Sequence, residues 1–584
     1  MNLTPEQKAI GKENFAAALG SKRVRADFLK KGIQQGIASG NGLGAHYFGY
    51  DKKIDKPLRV AVLGTGDEGS VLIGAINPAF IEVVAIADVR PYNVHRAFHG
   101  DHYSPNAAKV RCGLLKKYGW KTEDEARKHV KVYGDWRELL KEEKDIEAVV
   151  IALPLHLHAA AAVAAMRAGK HVLTEKLMGH SVHECKEMAR VADETKLHLA
   201  TGHQRHYNIL YDNAQKMIEK GLLGDLHYIR AQWHRGNLPG RDSWRQPMPK
   251  DVKPGDSLAE KLAGELTSWE KKLAGLKKAK KPDKKQIELW TKRVAQKKMQ
   301  IEDRVIAGAV KDYGYQDVRI IDAGKTLYEG PPIEELIRWR LWDRTGGGLM
   351  AELGSHQLDA ASIFISAMHE GKKQHPLCVM AAANRPLFPP DRDVDDHVYC
   401  LYEFPAPGFD AKDPHNNRKR ISVAYASING NGFGGYGETV FGTGGTLLLE
   451  QEKEAMLFRG SAVDDKTRVV DNRDKETQKR HPYSLASHPD GDSVAAALGN
   501  LALAGDLSRG YTEELEHWAW CIRNPAPENK PHCHPKLALA DAVIALTTNL
   551  AARESRRIEF KPEWFDPASD ETPEGVKPDV GRYA

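Results

Sequence analysis

The sequence has few of the features that mark disulfide-rich, membrane-spanning or nucleic-acid-binding proteins. Six cysteines are scattered along 584 residues, and no two of them have the CxxC spacing of a zinc knuckle. No apolar run reaches the roughly 18 residues that a membrane-spanning helix needs. The formal net charge of +6 is small for this length and gives no reason to expect nucleic acid as a partner. We therefore predict a globular protein with neither a membrane span nor a disulfide framework.

The N-terminal 57 residues contain a likeness to an export signal. Residues 22–30 resemble the core of a twin-arginine signal, and a stretch of small residues follows at 32–44. Val24 separates the two arginines, however, and Gln34 and Gln35 make the following segment too polar for a working signal. We interpret the segment as a degenerate signal kept as an ordered arm. We expect a cytoplasmic protein, with the periplasm as the alternative.

A chain of this length should divide into two or three domains. From residue 58 to residue 204, strand patterns alternate with helical patterns, which predicts a parallel sheet with helices on both faces. From 205 to 510, strand patterns recur without regular helices, which predicts a mainly antiparallel sheet. The predicted fold class is α/β, with an N-terminal Rossmann domain at 58–204, an α+β domain at 205–510, and C-terminal helices and a tail at 511–584.

A lysine-rich segment interrupts the second domain at about 255–310. Residues 259–306 favour helix and are broken near Pro282, so we expect an inserted helical hairpin. Its charges are typical of a solvated helix face rather than of a partner site. Our hypothesis for this hairpin is an assembly contact.

A glycine turn from Gly64 to Gly69 joins the first predicted strand to a helix and fits the GxGxxG pattern. Such glycines allow a tight turn and a close approach of pyrophosphate, and the helix N-terminus supplies free N–H groups. Asp88 ends the second strand, where an acid accepts hydrogen bonds from the adenosine ribose and favours NAD; the nearby Arg90 keeps NADP possible. A second glycine cluster, at 442–446, is more typical of a hairpin turn.

Polar residues at other strand ends extend this predicted site. Glu175 and Lys176 follow a strand, at the edge where open α/β sheets bind ligands. Three glycines at 346–348 precede Glu352 and His356, which are four residues apart and therefore share one helix face. A carboxylate beside an imidazole orients it and raises its basicity, as a general base requires, although a surface ion pair fits the same spacing.

The predicted cofactor-binding residues are Gly64, Thr65, Gly66, Asp67, Glu68, Gly69, Asp88, Arg90, Leu153, Pro154, His158, Glu175 and Lys176. The predicted substrate-binding residues are His203, Arg205, Tyr207, Arg340 and Trp342. We predict no metal site, because Cys533 and its two flanking histidines cannot all face one ion and no carboxylate partner is evident in the sequence.

Together these motifs resemble the glucose–fructose oxidoreductase, inositol dehydrogenase and rhizopine-catabolism (Gfo/Idh/MocA) family over about residues 58–460. Residues 175–177 resemble its EKP motif with Leu177 in place of proline, and residues 352–356 resemble its DxGxH motif with Glu352 in place of aspartate. The resemblance implies that Lys176 and His356 are catalytic and that Glu352 assists them.

The resemblance also implies an NAD(P)-dependent oxidoreductase that acts on a ring hydroxyl of a sugar, sugar derivative or cyclitol. His356 would take the hydroxyl proton while hydride leaves the same carbon, and Lys176 would stabilise the oxygen. One alternative is a glycoside-cleaving enzyme in which tightly bound NAD oxidises the substrate transiently. Another is a non-catalytic sensor on the same fold. We expect a small-molecule sugar or glycoside as partner and a homo-oligomer, a dimer or tetramer.

Overall fold

The computed structural model describes residues 3–22, 48, 50, 54–473, 481–488, 493–503 and 509–583. The part of the export-signal likeness from residue 23 to residue 47 lies outside these residues. No helix in the described ranges is long and apolar enough to cross a membrane.

A parallel sheet forms the N-terminal domain. Its strands are β1 (Leu58–Leu63), β2 (Ile81–Ala87), β3 (Lys131–Tyr133), β4 (Ala148–Ile151), β5 (His171–Glu175) and β6 (Leu199–Gly202). The strands are ordered β3-β2-β1-β4-β5-β6, and all neighbours are parallel. Val60 and Ala61, on opposite faces of β1, belong to two different hydrophobic cores, so both faces are covered. The predicted Rossmann sheet is confirmed.

The remaining strands are β7 (Leu226–His234), β8 (Val318–Asp322), β9 (Lys325–Gly330), β10 (Cys378–Asn384), β11 (His397–Pro405), β12 (Arg420–Ile428), β13 (Tyr436–Gly442), β14 (Thr446–Glu450), β15 (Glu454–Phe458), β16 (Thr467–Asp471), β17 (Tyr483–Ser487) and β18 (Ile558–Glu559). A second sheet has the order β15-β14-β13-β7-β12-β11-β10-β18. Its neighbours are antiparallel except for β7 and β12. This confirms the predicted mainly antiparallel sheet, and the glycine cluster at 442–446 forms the expected turn between β13 and β14.

The helices of the described residues are α1 (Pro5–Gly20), α2 (Asp67–Ala75), α3 (Pro91–His99), α4 (Pro105–Val110), α5 (Gly113–Tyr118), α6 (Glu123–Ala126), α7 (Trp136–Glu142), α8 (His158–Arg167), α9 (Val182–Thr195), α10 (Ile209–Glu219), α11 (Ser257–Lys278), α12 (Lys284–Glu302), α13 (Pro332–Ile337), α14 (Asp343–Gly346), α15 (Ser355–Ala367), α16 (Ser493–Ala502), α17 (Tyr511–Arg523) and α18 (Pro535–Glu554). A π-helical turn at Met350–Gly354 leads into α15. Helices α15 and α18 pack against the second sheet and against each other.

The lysine-rich insertion forms the predicted helical hairpin of α11 and α12. The break falls at residues 279–283, where Pro282 cannot donate a backbone hydrogen bond and Asp283 caps α12 by accepting one from the Gln286 N–H. The hairpin is anchored on the first domain, because α12 packs against α3. It therefore lies beside the Rossmann sheet although the chain enters it from the second domain.

Candidate active site

The carboxyl ends of the central parallel strands open into a cleft with about 1420 Å³ of open space. The sequence-predicted residues that line it are Gly64, Gly66, Asp67, Glu68, Asp88, Arg90, Leu153, Pro154, His158, Glu175, Lys176, Arg340 and Glu352. Residues separated by almost 300 positions in the sequence thus share one cavity at the edge where open α/β sheets bind ligands.

The glycine turn has the geometry of a phosphate cradle. Gly64 has φ +87°, and a side chain there would meet the Ala152 carbonyl oxygen at 2.4 Å, so the fold itself requires this glycine. A side chain on Gly66 would approach protein atoms no closer than 3.6 Å, and Gly66 lines the cleft. Packing within the protein therefore does not require the second glycine, and its bare backbone is free to approach a ligand.

Two acids stand at the start of α2, where a pyrophosphate would meet the helix N-terminus. Burial would raise the pKa of Asp67, but Arg96 at 2.8 Å and Arg340 at 3.7 Å keep it well below the usual range. Burial raises the pKa of Glu68. The negative charge of Asp67 is therefore paired with arginines, and burial favours the neutral form of Glu68, so the turn opposes an anionic ligand less than two free carboxylates would.

Asp88 is held at the end of β2 by the backbone of the glycine turn. Its Oδ2 accepts a hydrogen bond from the Thr65 N–H at 2.8 Å, and its Oδ1 accepts one from the Arg90 N–H at 2.9 Å. The Asn93 amide donates to both oxygens, at 3.1 and 3.2 Å. These donors fix a carboxylate that faces the cleft, as hydrogen bonding to ribose hydroxyls requires.

Leu153 and Pro154 line the cleft after β4, and His158 joins this segment to the segment after β5. Its two ring nitrogens lie 2.8 Å from the Leu153 carbonyl oxygen and 2.9 Å from the Leu177 carbonyl oxygen. His158 is 2% exposed. It therefore positions the two strand ends against each other and presents little surface to a ligand.

Lys176 projects from the end of β5 into the cleft, and the peptide bond that follows it is cis. Its Nζ donates a hydrogen bond to the Glu352 carbonyl oxygen at 2.7 Å and lies 4.0 Å from the Glu352 carboxylate. Lys176 thus connects the Rossmann sheet to the π-helical turn of the second domain and retains donor capacity for a substrate oxygen.

Glu352 contacts Arg340 rather than His356. The Arg340 Nε donates to the Glu352 carboxylate at 2.8 Å, and the described residues provide no hydrogen bond between Glu352 and His356. Burial would raise the pKa of Glu352, but Arg340 and Lys176 lower it to about 2. The expectation that this carboxylate orients the imidazole is therefore wrong, because a charge-assisted bond to Arg340 takes its place.

His356 stands at the start of α15 and is 8% exposed. Burial holds the pKa of its imidazole well below the usual range, and the positive charge of Lys176 adds to this effect. Its Nδ1 has no hydrogen-bond partner within the described part of the chain, and its ring lies 5.6 Å from the Trp233 ring. The side chain is thus a neutral imidazole whose Nδ1 is buried. His356 does not itself line the cleft, whereas Glu352, about one helical turn earlier, does.

The predicted substrate residues divide into two groups. Arg340 lines the cleft, whereas His203, Arg205, Tyr207 and Trp342 are each at most 3% exposed and do not line it. Arg205 pairs with Glu438 at 3.1 Å and with Glu452 at 2.9 Å, and it also donates to the His356 carbonyl oxygen. These contacts make Arg205 a support for the helix that carries His356. Substrate binding by this buried group stays a prediction that its contacts do not support.

A polar cluster lies behind His356 and was missed in the sequence. Asp359 Oδ1 lies 2.8 Å from His206 Nε2, and Lys373 pairs with Asp541 at 2.5 Å. Atoms of His203, Cys533 and Asp541 lie within 4.8 Å of one another, so the interpretation that no carboxylate accompanies Cys533 is wrong. Lys373 supplies the counter-charge for Asp541. No local sequence signal connects these residues, because they come from three distant segments.

The segment that follows the helical hairpin also contributes to the cleft, although its sequence did not predict this. Tyr313, Tyr315 and Trp339 line the cleft from the segment that follows the helical hairpin. The carboxylate of Asp303, at the end of that hairpin, pairs with Arg90 at 2.8 Å. Because these residues stand in an insertion-linked segment without a recognisable motif, only the folded structure reveals them.

Residues 58–203 match the family model described as "Oxidoreductase family, NAD-binding Rossmann fold". Together with the parallel sheet and the glycine turn, this match defines an NAD-binding Rossmann domain of the oxidoreductase class. This match agrees with the resemblance of the motifs to the Gfo/Idh/MocA family and extends over the Rossmann domain.

Several known proteins are similar to parts of the chain. A glycosyl hydrolase family 109 protein of Stenotrophomonas maltophilia is 30% identical over 181 residues, covering 30% of this chain and 36% of that protein. A levoglucosan dehydrogenase of Pseudarthrobacter phenanthrenivorans is 36% identical over 101 residues, covering 17% and 25%. A solved levoglucosan dehydrogenase in complex with NADH and levoglucosan aligns with a TM-score of 0.48 and 15% identity, covering 86% of this chain and 99% of the other. The chain thus spans well under two thirds of these two curated relatives.

Proposed function

We propose that the protein is an NAD(P)-dependent oxidoreductase acting on a ring hydroxyl of a sugar, sugar derivative or cyclitol. The observation that carries the proposal is the shared cleft, in which the glycine turn and Asp88 lie together with Lys176 and Glu352. A bare backbone at Gly66, a helix N-terminus and a fixed acceptor at Asp88 fit a dinucleotide. A nicotinamide bound there would supply hydride chemistry.

In this proposal the protein manages the proton and the substrate oxygen. His356 accepts the hydroxyl proton on its imidazole, because its lowered pKa keeps the ring neutral at pH 7. Lys176 donates a hydrogen bond to the same substrate oxygen and stabilises its developing charge. The Arg340–Glu352 pair holds the turn against which Lys176 rests.

The first test is to denature the purified protein and identify any released nucleotide by mass spectrometry, followed by titration of the empty protein with NAD. Binding of NAD, whether retained or added, supports the proposal. A folded protein that contains no dinucleotide and binds none would contradict it. Turnover is then assayed against a panel of sugars and cyclitols by the change in NADH absorbance.

A second candidate function is glycoside cleavage through transient oxidation by a retained NAD. Three of the relatives carry the name glycosyl hydrolase family 109 protein. The aromatic side chains of Tyr313, Tyr315 and Trp339 along the cleft also favour retention of a cofactor. A near-stoichiometric cofactor in the purified protein, with release of an aglycone and no net NADH, would support this candidate over a dehydrogenase.

We further propose self-association through the outer face of the second sheet. Met380, Tyr399 and Leu401 are 43%, 44% and 37% exposed there, and Met380 pairs with Leu401 across β10 and β11. An exposed apolar patch of this kind is typical of an interface between subunits. Replacing Leu401 with lysine should convert an oligomer into a smaller species in light scattering.

Six free cysteines suit a reducing compartment, so we propose a cytoplasmic location.

A further inference from the structure

The helical hairpin delivers an acid to the adenosine end of the cleft. On α12, Gln296 hydrogen-bonds Asp101 at 2.9 Å, and the Arg293 Nε donates to the His102 carbonyl oxygen at 2.9 Å. These contacts fasten the hairpin to the first domain. Asp303 follows directly after α12, and its side chain is fully buried. An insertion in the second domain thus contributes a side chain beside β2.

The Asp303 carboxylate pairs with one edge of the Arg90 guanidinium, the edge formed by Nε and Nη2. Its Oδ2 accepts a hydrogen bond from the Arg90 Nε at 2.9 Å and forms an ion pair with the Arg90 Nη2 at 2.8 Å. Its Oδ1 accepts the Tyr92 N–H at 3.0 Å, in the first turn of α3. The Nε–Nη2 edge is one that an arginine uses to grip a phosphate, so this edge is not available to a ligand.

The pairing matters because Arg90 stands where an arginine could bind the 2′-phosphate of NADP. Arg90 lies two residues after Asp88, where a nearby arginine accommodates the 2′-phosphate of NADP. The other arginines that line the cleft are also paired: Arg96 with Asp67 at 2.8 Å, Arg137 with Asp135 at 3.1 Å, and Arg340 with Glu352 at 2.8 Å. A 2′-phosphate would therefore meet the Asp88 carboxylate without an available arginine among the described cleft residues.

We propose that Asp303 is a specificity-determining residue that selects NAD over NADP by holding Arg90 away from the ribose 2′-position. The inference rests on the proposed dinucleotide-binding function and deepens it. It assigns to the hairpin a role in cofactor choice, in addition to the assembly contact hypothesised from its sequence. Wild-type protein should bind NAD at least about tenfold more tightly than NADP.

The test is Asp303→Asn. Asparagine keeps an oxygen that accepts the Tyr92 N–H but removes the charge that holds Arg90. The ratio of the dissociation constants for NADP and NAD, measured by calorimetry on the full chain stripped of nucleotide, should fall at least about tenfold. The double variant Asp303→Asn with Arg90→Met should lose this gain, because the released arginine would be its source.

The matched control is Glu302→Gln, which removes a neighbouring exposed charge at the same helix end. It should leave the NADP/NAD ratio unchanged. A second variant, Arg90→Met, covers the case in which Asp303→Asn does not fold. Its NADP affinity should stay as weak as in the wild type, whereas a tenfold loss would show that Arg90 already binds the phosphate and would overturn the inference.

The outcomes separate this inference from the proposed function. If the wild-type protein binds neither nucleotide, the proposed function fails. If it binds NAD, and either binds NADP equally well or keeps its ratio in Asp303→Asn, the proposed function stands and the role of Asp303 is refuted.

Discussion

The two ends of the cleft are built in different ways. At the glycine-turn end, Thr65, Asp88 and Asn93 come from one short stretch of chain and are joined largely through backbone N–H groups. At the His356 end, the supporting contacts join side chains separated by as many as 247 positions, as between Arg205 and Glu452. A local hydrogen-bonded motif can be recognised in the sequence, whereas a network of distant ion pairs is defined only by the fold.

This difference predicts different consequences of substitution. At the His356 end, some charged side chains face the cleft and others hold the wall from behind. Arg340 and Arg205 were both expected to bind substrate, but one pairs with Glu352 in the cleft and the other is enclosed by Glu438 and Glu452. Substitutions can therefore separate the residues that act on substrate from those that maintain the wall.

The largest effect is expected from Lys176→Met. Methionine preserves much of the side-chain volume but removes the donor that stabilises a developing negative charge on the substrate oxygen. We expect kcat/KM to fall by about 10³-fold or more, measured by steady-state NADH formation on a responsive sugar. NAD affinity, measured by calorimetry, should change much less.

The control for this variant is Lys196→Met, at the C-terminal cap of α9, where the lysine side chain is 77% exposed. That variant should keep full activity. Appreciable turnover by Lys176→Met would remove this lysine from the chemistry and leave the cleft without its proposed electrophilic group.

The second effect is on stability. Arg205→Met leaves the buried carboxylates of Glu438 and Glu452 without their shared partner, and breaking a buried ion pair costs about 3–5 kcal/mol. We expect a correspondingly lower free energy of unfolding, measured by denaturant titration.

Arg319→Met tests whether loss of any arginine has this effect, since Arg319 forms an exposed pair with Glu329 at 3.5 Å. It should change the stability by less than about 1 kcal/mol. Unchanged stability with weakened substrate binding in Arg205→Met would instead restore the original interpretation of Arg205 as a substrate ligand.

The same contrast explains how much the sequence could predict. Strand β2 was predicted with its observed bounds, because all of its seven residues except Glu82 are apolar and Asp88 ends the run. The hairpin was predicted from its composition and from Pro282. The ion-pair partners of Arg90, Arg205 and Arg340 could not be predicted, because the sequence around an arginine does not indicate which distant carboxylate the fold places beside it. Its burial, and therefore its role, depends on that partner.

A smaller effect is expected from Arg340→Met. Its loss frees the Glu352 carboxylate, which lies 4.0 Å from the Lys176 Nζ, and an unpaired carboxylate there should draw the lysine away from the substrate oxygen. We expect a loss of about 10- to 100-fold in kcat, with little loss of stability. The two readouts are initial rates and thermal melting.

Arg344→Met is the matched control, because Arg344 lies four residues further on and pairs with Glu335 away from the cleft lining. It should retain activity within about twofold. An Arg340→Met variant that melts far below the wild type but keeps its kcat would reverse the assignment, making Arg340 a structural residue like Arg205.

The smallest effect is expected on the pH dependence of kcat/KM. It tests whether the His356 imidazole is as shielded from solvent as its burial implies. Burial lowers the pKa of His356 well below its usual value near 6.5, and the charge of Lys176 lowers it further, so the neutral base persists as the pH falls through 6.5. Protonation, and with it loss of the base, should begin only at a lower pH. The profile of kcat/KM should therefore change by less than about twofold between pH 6 and pH 8.

An acid limb centred near pH 6.5 that disappears in a His356→Asn variant with residual activity would show that solvent reaches the imidazole. In that case the His356 end of the cleft would be open to solvent. The contrast between a glycine-turn end held by local hydrogen bonds and a His356 end enclosed by distant ion pairs would then not hold.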